Sequence, residues 1–462
     1  MFFSEVHKQS LGQWSPNGKY LAAAAQNRIL IRNAESLKLV QVYVCLDKVE
    51  RVEWSPDSEF LLTELGRQGI VQVWSLKESE WTCRIDEGLG GVAHARWGLT
   101  SKHVLISSDF QLYLSVWALE DQSIAVQIRH PKFANSGLAF SHNGRWLAML
   151  RRCDCQDRLS LYSCEENFAR LADVPLAGDF ADLVWAPDDA AIMIWERPGR
   201  TSRCVWYSLS GDLLAEISDR GLLRSASPSP SSQLLAACGL DGRVQLLSVS
   251  GRCALAWLPH DQAAFAEVGD DEVSLLEEYQ TPGDGGTGIN LAEVSYVQVK
   301  VPSTSLLEER NPDLGIDADG LPRQGISLAV WSPDERYLAT HHESFPGIVW
   351  VWDLGRLALK ALLKHRAPVR SFAWDPSPLA RGGGSRLAVS TADPALFLWS
   401  PTKALAGPCP LSLAKLRWRS DGRSLLIQER DRACTCDLGP PASLNGPPTA
   451  ELETAASVRP PA

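Results

Sequence analysis

Val330-Trp331-Ser332-Pro333-Asp334-Glu335-Arg336-Tyr337-Leu338-Ala339-Thr340, followed after a short gap by Val349-Trp350-Val351-Trp352-Asp353-Leu354, is the stretch whose reading decides the fold. The first half is a short apolar strand ending on Trp331, a Ser-Pro-Asp turn and a second strand. Pro pre-sets φ for the turn, and the Asn-Gly of sister turns tolerates positive φ. The second half alternates in the period-2 manner of a strand and ends on a Trp-Asp pair.

The same frame recurs from end to end. Its marker falls at Trp14, Trp54, Trp97, Phe140, Trp185, Pro228, Trp331, Trp374 and Trp418. Successive markers are 40 to 45 residues apart, except for one step of 103 between Pro228 and Trp331. At Pro228 the aromatic is lost but the frame survives. Four short strands per 40–45-residue unit is the signature of a β-propeller. One four-stranded sheet cannot bury both apolar faces alone; stacking sheets around an axis covers them.

The fold expected is therefore all-β: a WD-repeat propeller with nine clear repeats plus one degenerate unit, in one large closed ring, with two smaller rings split near 250–325 as the alternative. The units lie near 9–50, 51–92, 93–135, 136–180, 181–223, 224–260, 326–368, 369–412 and 413–438. The degenerate unit, 261–325, contains strand-like alternation at Phe265–Val268, Glu272–Tyr279 and Val294–Val301, and a Gly-rich loop at 281–288. The last unit lacks a fourth strand, and residues 2–8 form a strand with no sheet of their own. Pairing the two closes the ring and removes its edges. Residues 439–462, rich in Pro and Ala, read as a disordered tail.

Composition narrows the function classes. The net charge of −10 over 462 residues argues against a dedicated nucleic-acid binder, whose footprint is basic. No apolar run approaches the roughly 20 residues of a membrane span, and the N-terminus has no signal-peptide pattern. Eleven Cys at irregular spacings fit free thiols in a reducing compartment, the cytoplasm or nucleus. Cys153/Cys155 and Cys434/Cys436 have the spacing that puts both side chains on one strand face. They lack the further Cys or His a metal site needs.

No catalytic set is legible. The loop at 281–288 lacks the Lys and Ser/Thr of a phosphate loop. His341-His342, the only His pair, points to opposite faces of a strand. Nothing implies a metal, a cofactor or an enzyme. The marker aromatics are core by their fixed place in the repeat. Trp81, Trp146, Trp195 and Trp257 lie off that frame and become interface anchors wherever they are exposed. Asp86 and Glu87, close after Trp81, offer an acidic site for a basic partner helix. Arg151 and Arg152 form a basic counterpart. The candidate partner contacts are thus Trp81, Asp86, Glu87, Arg151 and Arg152, with no catalytic, cofactor or metal residues.

One resemblance is more specific than the repeat. Tyr43–Asp47, Glu53–Ser58, Val71–Leu76, Glu80–Gly88, Arg151–Cys155, Asn311-Pro312 with Gly315-Ile316, and Val349–Leu354 resemble the WD-repeat protein eight family in order and spacing. The segment 41–88 is the most specific, because it departs from generic repeats. Pro228, the longer loop at Leu379–Ser385 and the Gly-rich insert depart from the family pattern. The resemblance implies a scaffold at the centrosome or spindle pole. Its implied partners are a coiled-coil anchoring protein and, in some lineages, a minus-end-directed kinesin. It implies microtubule minus-end anchoring with indirect microtubule contact, spindle organisation and cilium assembly. An RNA- or ribosome-associated propeller, resembling translation initiation factors, is the competing reading. The net charge weighs against it.

Overall fold

The computed structural model describes residues 1–65, 68–197, 202–219, 223–261, 274–299, 315–316, 324–377, 384–412 and 414–438. These residues form nine sheets and no α-helix. Blade 2 shows the plan: strands a to d are Arg51–Trp54, Phe60–Leu65, Ile70–Ser75 and Thr82–Asp86, hydrogen-bonded in that order. Strand a is innermost. The a–b and c–d turns lie on one face of the ring, and the b–c and d–a connections on the other.

A single hydrogen-bond device links the inner strands. The indole N–H of each marker Trp donates to the carbonyl just before the marker of the preceding blade. Trp54 bonds Gln13 O (3.1 Å), Trp97 bonds Glu53 O (3.2 Å), and Trp185 bonds Ala139 O (2.9 Å). Trp331 bonds Ser227 O (2.9 Å), Trp374 bonds Val330 O (2.9 Å), and Trp418 bonds Ala373 O (2.9 Å). Trp14 bonds Arg417 O (3.2 Å), which joins blade 1 to blade 9. The chain is thus one closed ring of nine blades. Phe140 and Pro228 carry no indole, so two links are missing. Arg96 Nη2 to Leu138 O (3.3 Å) and Trp206 Nε1 to Val249 O (2.8 Å) tie those two junctions instead.

The turn after the marker repeats in four of the blades. Ser332 Oγ donates to Asp334 Oδ1 (2.5 Å) and accepts the N–H of Tyr337 (2.9 Å). Ser15, Ser55 and Ser141 make the same pair of bonds. In seven of the blades the fourth residue past the marker is left-handed: Gly18, Gly144 and Gly422, but also Ser58 (φ 65°), Asp189 (φ 54°), Ser232 (φ 58°) and Glu335 (φ 56°). Glycine avoids the strain of that conformation. Ser58, Asp189 and Glu335 use their side chains to bind the preceding blade, whereas Ser232 Oγ meets His142 Nε2 of blade 4 at 3.2 Å. Ser58 Oγ accepts Asn17 N–H, Asp189 accepts the N–H groups of His142 and Asn143, and Glu335 accepts Ser231 N–H and Oγ–H.

The degenerate unit does not make a tenth blade. Ser274–Gln280 and Val294–Val299 form a hairpin, and the first of these pairs in parallel with Ala358–Lys364, the outer strand of blade 7. That sheet therefore has six strands. The expected strand Phe265–Val268, the loop 281–288 and the tail 439–462 lie outside the described residues. Phe2 and Phe3 pair with Asp437 and Cys436, so the N-terminus supplies the outer strand of blade 9. Each core lies between neighbouring blades. Ile348–Asp353 is buried at every position, so the best-formed repeat is packing throughout.

Candidate interaction surface

The residues read as partner contacts lie mostly in intramolecular bonds. Trp81 precedes the outer strand of blade 2 and is half-buried, its ring against Phe60 at 5.2 Å. Asp86, at the far end of the same strand, pairs with Arg84 (3.4 Å) and accepts Gly88 N–H (2.9 Å). Glu87 accepts the indole N–H of Trp117 (2.6 Å) and the hydroxyl of Ser115 (3.2 Å). Its carboxylate is bound to blade 3.

Arg151 and Arg152 sit two blades away, in Trp146–Cys153 of blade 4. Of this basic pair only Arg152 reaches the surface. Arg151 is buried, and its Nε donates to Arg129 O at 2.8 Å. Arg152 donates to Asp157 (2.9 Å) and Asp179 (3.2 Å). Both carboxylates also bind Lys132 Nζ, which donates to Phe180 O as well. Lys132 and Asp157 are fully sequestered, and Asp157 Oδ2 accepts Phe180 N–H at 2.9 Å. The ring of Phe133 lies between Lys132 (5.1 Å) and Arg197 (4.8 Å). Blades 3, 4 and 5 are joined here by an ionic knot. No motif announces it, because its members are 25 and 47 residues apart in sequence.

The buried histidines are structural too. His260 lies in the d–a connection entering blade 7. Its Nε2 meets Thr340 Oγ1 at 2.6 Å, and its Nδ1 lies 3.1 Å from Leu258 O. Trp352 Nε1 donates into the same group. Burial, with the neighbouring His342, pushes the His260 pKa down to about 3. Burial pushes His365 down to about 4. His341 and His342 point apart, to Ser327 and Pro346 on one side and to Ser344 on the other.

Cys153 and Cys155 do not share a strand face, since Asp154 and Cys155 form the left-handed b–c turn. Cys434 and Cys436 do, and both are buried. Among the described residues no cluster of three or more His, Cys, Asp or Glu is placed to hold a metal ion.

Exposed apolar side chains lie in the turns Gly88–Gly90 and Asp109–Gln111 (Leu89 and Phe110) and along the outer rim. Of the off-frame tryptophans, Trp195 is buried, Trp81 and Trp146 are half-buried, and Trp257 is 47% exposed on the outer strand of blade 6. The longest exposed apolar run lies on the outer strand of blade 1, Leu39–Val44. Leu39, Val40, Val42, Val44 and Leu46 are all exposed there. Tyr43, alternating with them, is buried: its hydroxyl donates to Ser75 O (2.6 Å) and its ring lies 5.0 Å from Trp74. From Gln41 onward this strand belongs to the segment that departs most from a generic repeat. Its period-2 alternation was readable; which of its two faces would be left bare was not.

No protein-family model matches the chain. The WD repeat-containing protein WRAP73 of Mus musculus is 33% identical over 461 residues, covering 95% of this chain and 96% of the mouse protein. An uncharacterized WD repeat-containing protein of Schizosaccharomyces pombe is 22% identical over 384 residues, covering 78% of this chain and 73% of that protein. Among solved structures, the C-terminal WD40 domain of Sif2 aligns at 12% identity with a TM-score of 0.49, over 95% of this chain and 99% of that one.

Proposed function

The chain belongs to the family of WD repeat-containing proteins that includes mouse WRAP73, and on that premise we propose that it is a non-catalytic scaffold working at the centrosome or spindle pole. The closed nine-bladed ring is a rigid frame for presenting docking surfaces, and a scaffold requires no reactive group. The observation that carries the reading is the row of exposed aliphatic residues on the rim, Leu39, Val40, Val42, Val44 and Leu46. A contiguous exposed apolar patch of this kind is costly in water and marks an interaction site. Val42, Val44 and Leu46 lie within 41–88, the most specific part of the resemblance to the centrosomal family.

In this reading the ring binds a coiled-coil anchoring protein and, through that complex, a minus-end-directed kinesin. Contact with microtubules is indirect. The complex holds minus ends at the organising centre, shapes the spindle pole and supports cilium assembly. The test is depletion of the protein from dividing cells, followed by microtubule regrowth after cold depolymerisation. Asters with detached or splayed minus ends, restored by re-expression of the full chain, support the reading. Regrowth and poles identical to undepleted cells overturn it.

A further inference from the structure

We infer that the free edge of the blade 1 outer strand, Leu39–Val44, receives an extended apolar segment of a partner protein as an added β-strand. This deepens the scaffold reading and rests on it.

The outer strands of the ring can be compared position by position. In blades 1, 3, 4, 5, 6 and 7 the pairing of strand c with strand d shifts register once, at Ile31/Arg32, Val116/Trp117, Leu161/Tyr162, Trp206/Tyr207, Leu246/Leu247 and Val351/Trp352. Aligned on that shift, Val42 and Val44 stand level with Gln127 and Arg129, with Asp173 and Pro175, with Glu216 and Ser218, and in blade 6 with the exposed Trp257 and with Pro259, so that blade 6 has an apolar residue at one of the two positions and blade 1 at both. Blade 2, which has no shift, exposes Arg84 and Asp86 on its outer strand. Charge, polarity or Pro at these positions is how a sheet edge is kept from pairing with another chain. Blade 1 carries two valines there, 40% and 61% exposed.

The neighbouring wall is bare as well. Tyr43 packs toward blade 2, so Val42 and Val44 face blade 9. The outer strand of blade 9 is only Phe2–Phe3. Phe3 packs into the core between blades 8 and 9, which turns Phe2 toward blade 1, where it is 78% exposed. The two valines and Phe2 flank an open wedge at the junction where the ring closes.

Blade 7 shows what such an edge accepts. Its outer strand carries an added parallel strand, from Ser274 opposite Ala361 to Glu277 opposite Lys364. Leu275 and Leu276 of the added strand enter the cores on either side. Leu362, level with Val42, is buried beneath this addition. Glu277 pairs with Lys364 at 3.3 Å. In blade 1 the matching end of the strand lies beside Arg28, which pairs with Val44 across the ladder. Lys38 is exposed just before Leu39. Neither cation has an ion pair among the described residues. The segment that fits is short and extended, with adjacent aliphatic residues followed by a carboxylate.

The test uses the full chain and a fluorescein-labelled peptide, Leu-Val-Leu-Val-Glu-Glu, read by anisotropy and amide hydrogen exchange. Saturable binding with slowed exchange confined to residues 39–46 is expected. The double variant V42R/V44D, which copies the blade 2 pair, is expected to weaken binding at least tenfold while its melting curve stays unchanged. Should it melt early, V42T/V44T makes the same comparison with the strand preserved. No binding, equal binding by the variants, or protection elsewhere overturns the inference. So does a wild-type dimer, seen by light scattering and split by V42R/V44D, since a second copy would then occupy the edge. A spindle-pole focus that persists when the peptide fails to bind removes the edge and leaves the scaffold reading standing.

Discussion

The indole N–H of Trp14 donates to the carbonyl oxygen of Arg417 across 3.2 Å, joining residues 403 apart in sequence. The same bond recurs at six other junctions, so closure of the ring uses the chemistry of its interior joints. Two further links reinforce this one: Phe2–Phe3 on Cys436–Asp437, and the bridge from His7 to Ala433.

Trp14→Phe keeps the ring packing but leaves the Arg417 carbonyl without this donor, at a cost of about 1 kcal/mol. Deleting residues 1–8 also bares an edge of blade 9. We expect the deletion to lower the urea midpoint more than Trp14→Phe does. Equal midpoints for the deletion and the intact chain would mean that the N-terminal strand contributes nothing to closure.

Phe140 occupies a marker position without an indole. Phe140→Trp supplies a donor aimed at the carbonyl of Arg96, as Trp185 does for Ala139. The expected gain is about 0.5–1 kcal/mol, read as a higher urea midpoint at unchanged slope. A lower midpoint would show that Arg96, already bonded to Leu138 O, fills that space.

Lys132→Met strands Asp157 in the interior with only Arg152 as a cation. Breaking a buried pair from one side costs about 3 kcal/mol, so a marked loss of stability is expected on chemical denaturation. Replacing Lys132 and Asp157 together by apolar residues should recover part of that loss. A single variant within 0.5 kcal/mol of wild type would show that the knot is dispensable.

Stability should fall in mild acid. Unfolded histidine takes up a proton near pH 6.5. Folded His260 and His365 resist protonation until about 3 and about 4. Protonation therefore favours the unfolded chain. The contribution of the neutral histidines is complete above pH 6.5 and is lost progressively as pH falls from 6.5 toward 4. Each adds a slope approaching about 1.4 kcal/mol per pH unit within that window. Denaturation curves between pH 7.5 and 4.5 check this, and H260N should flatten the dependence. An unchanged slope in H260N would contradict it.

Thiol reactivity should divide by position. Cys155 and Cys253 are exposed, whereas Cys204 and Cys238 are buried with thiols pushed up to about 12 by burial. Alkylation of the native chain at pH 7.5, mapped by mass spectrometry, should label the first pair and spare the second until denaturant is added.

The ring was legible because each blade repeats one local solution. A marker indole, a Ser and an Asp or Asn sit at fixed offsets in the fullest units (Trp14, Trp54 and Trp331), the others keep part of that set, and period-2 strands follow. Pairings between distant segments were not legible in that way. Glu87 and Arg152 read as free surface charges, since nothing beside them in the chain reveals Trp117 or Asp179. The segment after Pro259 read as a weak blade because its strands alternate correctly. Whether two strands found a sheet or join an existing edge depends on the neighbour, here Ala358–Lys364. Val42 and Val44 looked like ordinary strand residues; comparison with Arg84, Arg129 and Glu216, and with the Trp257/Pro259 pair of blade 6, shows that blade 1 is apolar at both positions.

Imaging the tagged full chain through the cell cycle, beside a pericentriolar marker, tests the scaffold reading most directly. A ring recruited to the organising centre predicts a pericentriolar focus that persists at both spindle poles in mitosis. An even distribution through the cytoplasm at every stage would contradict it.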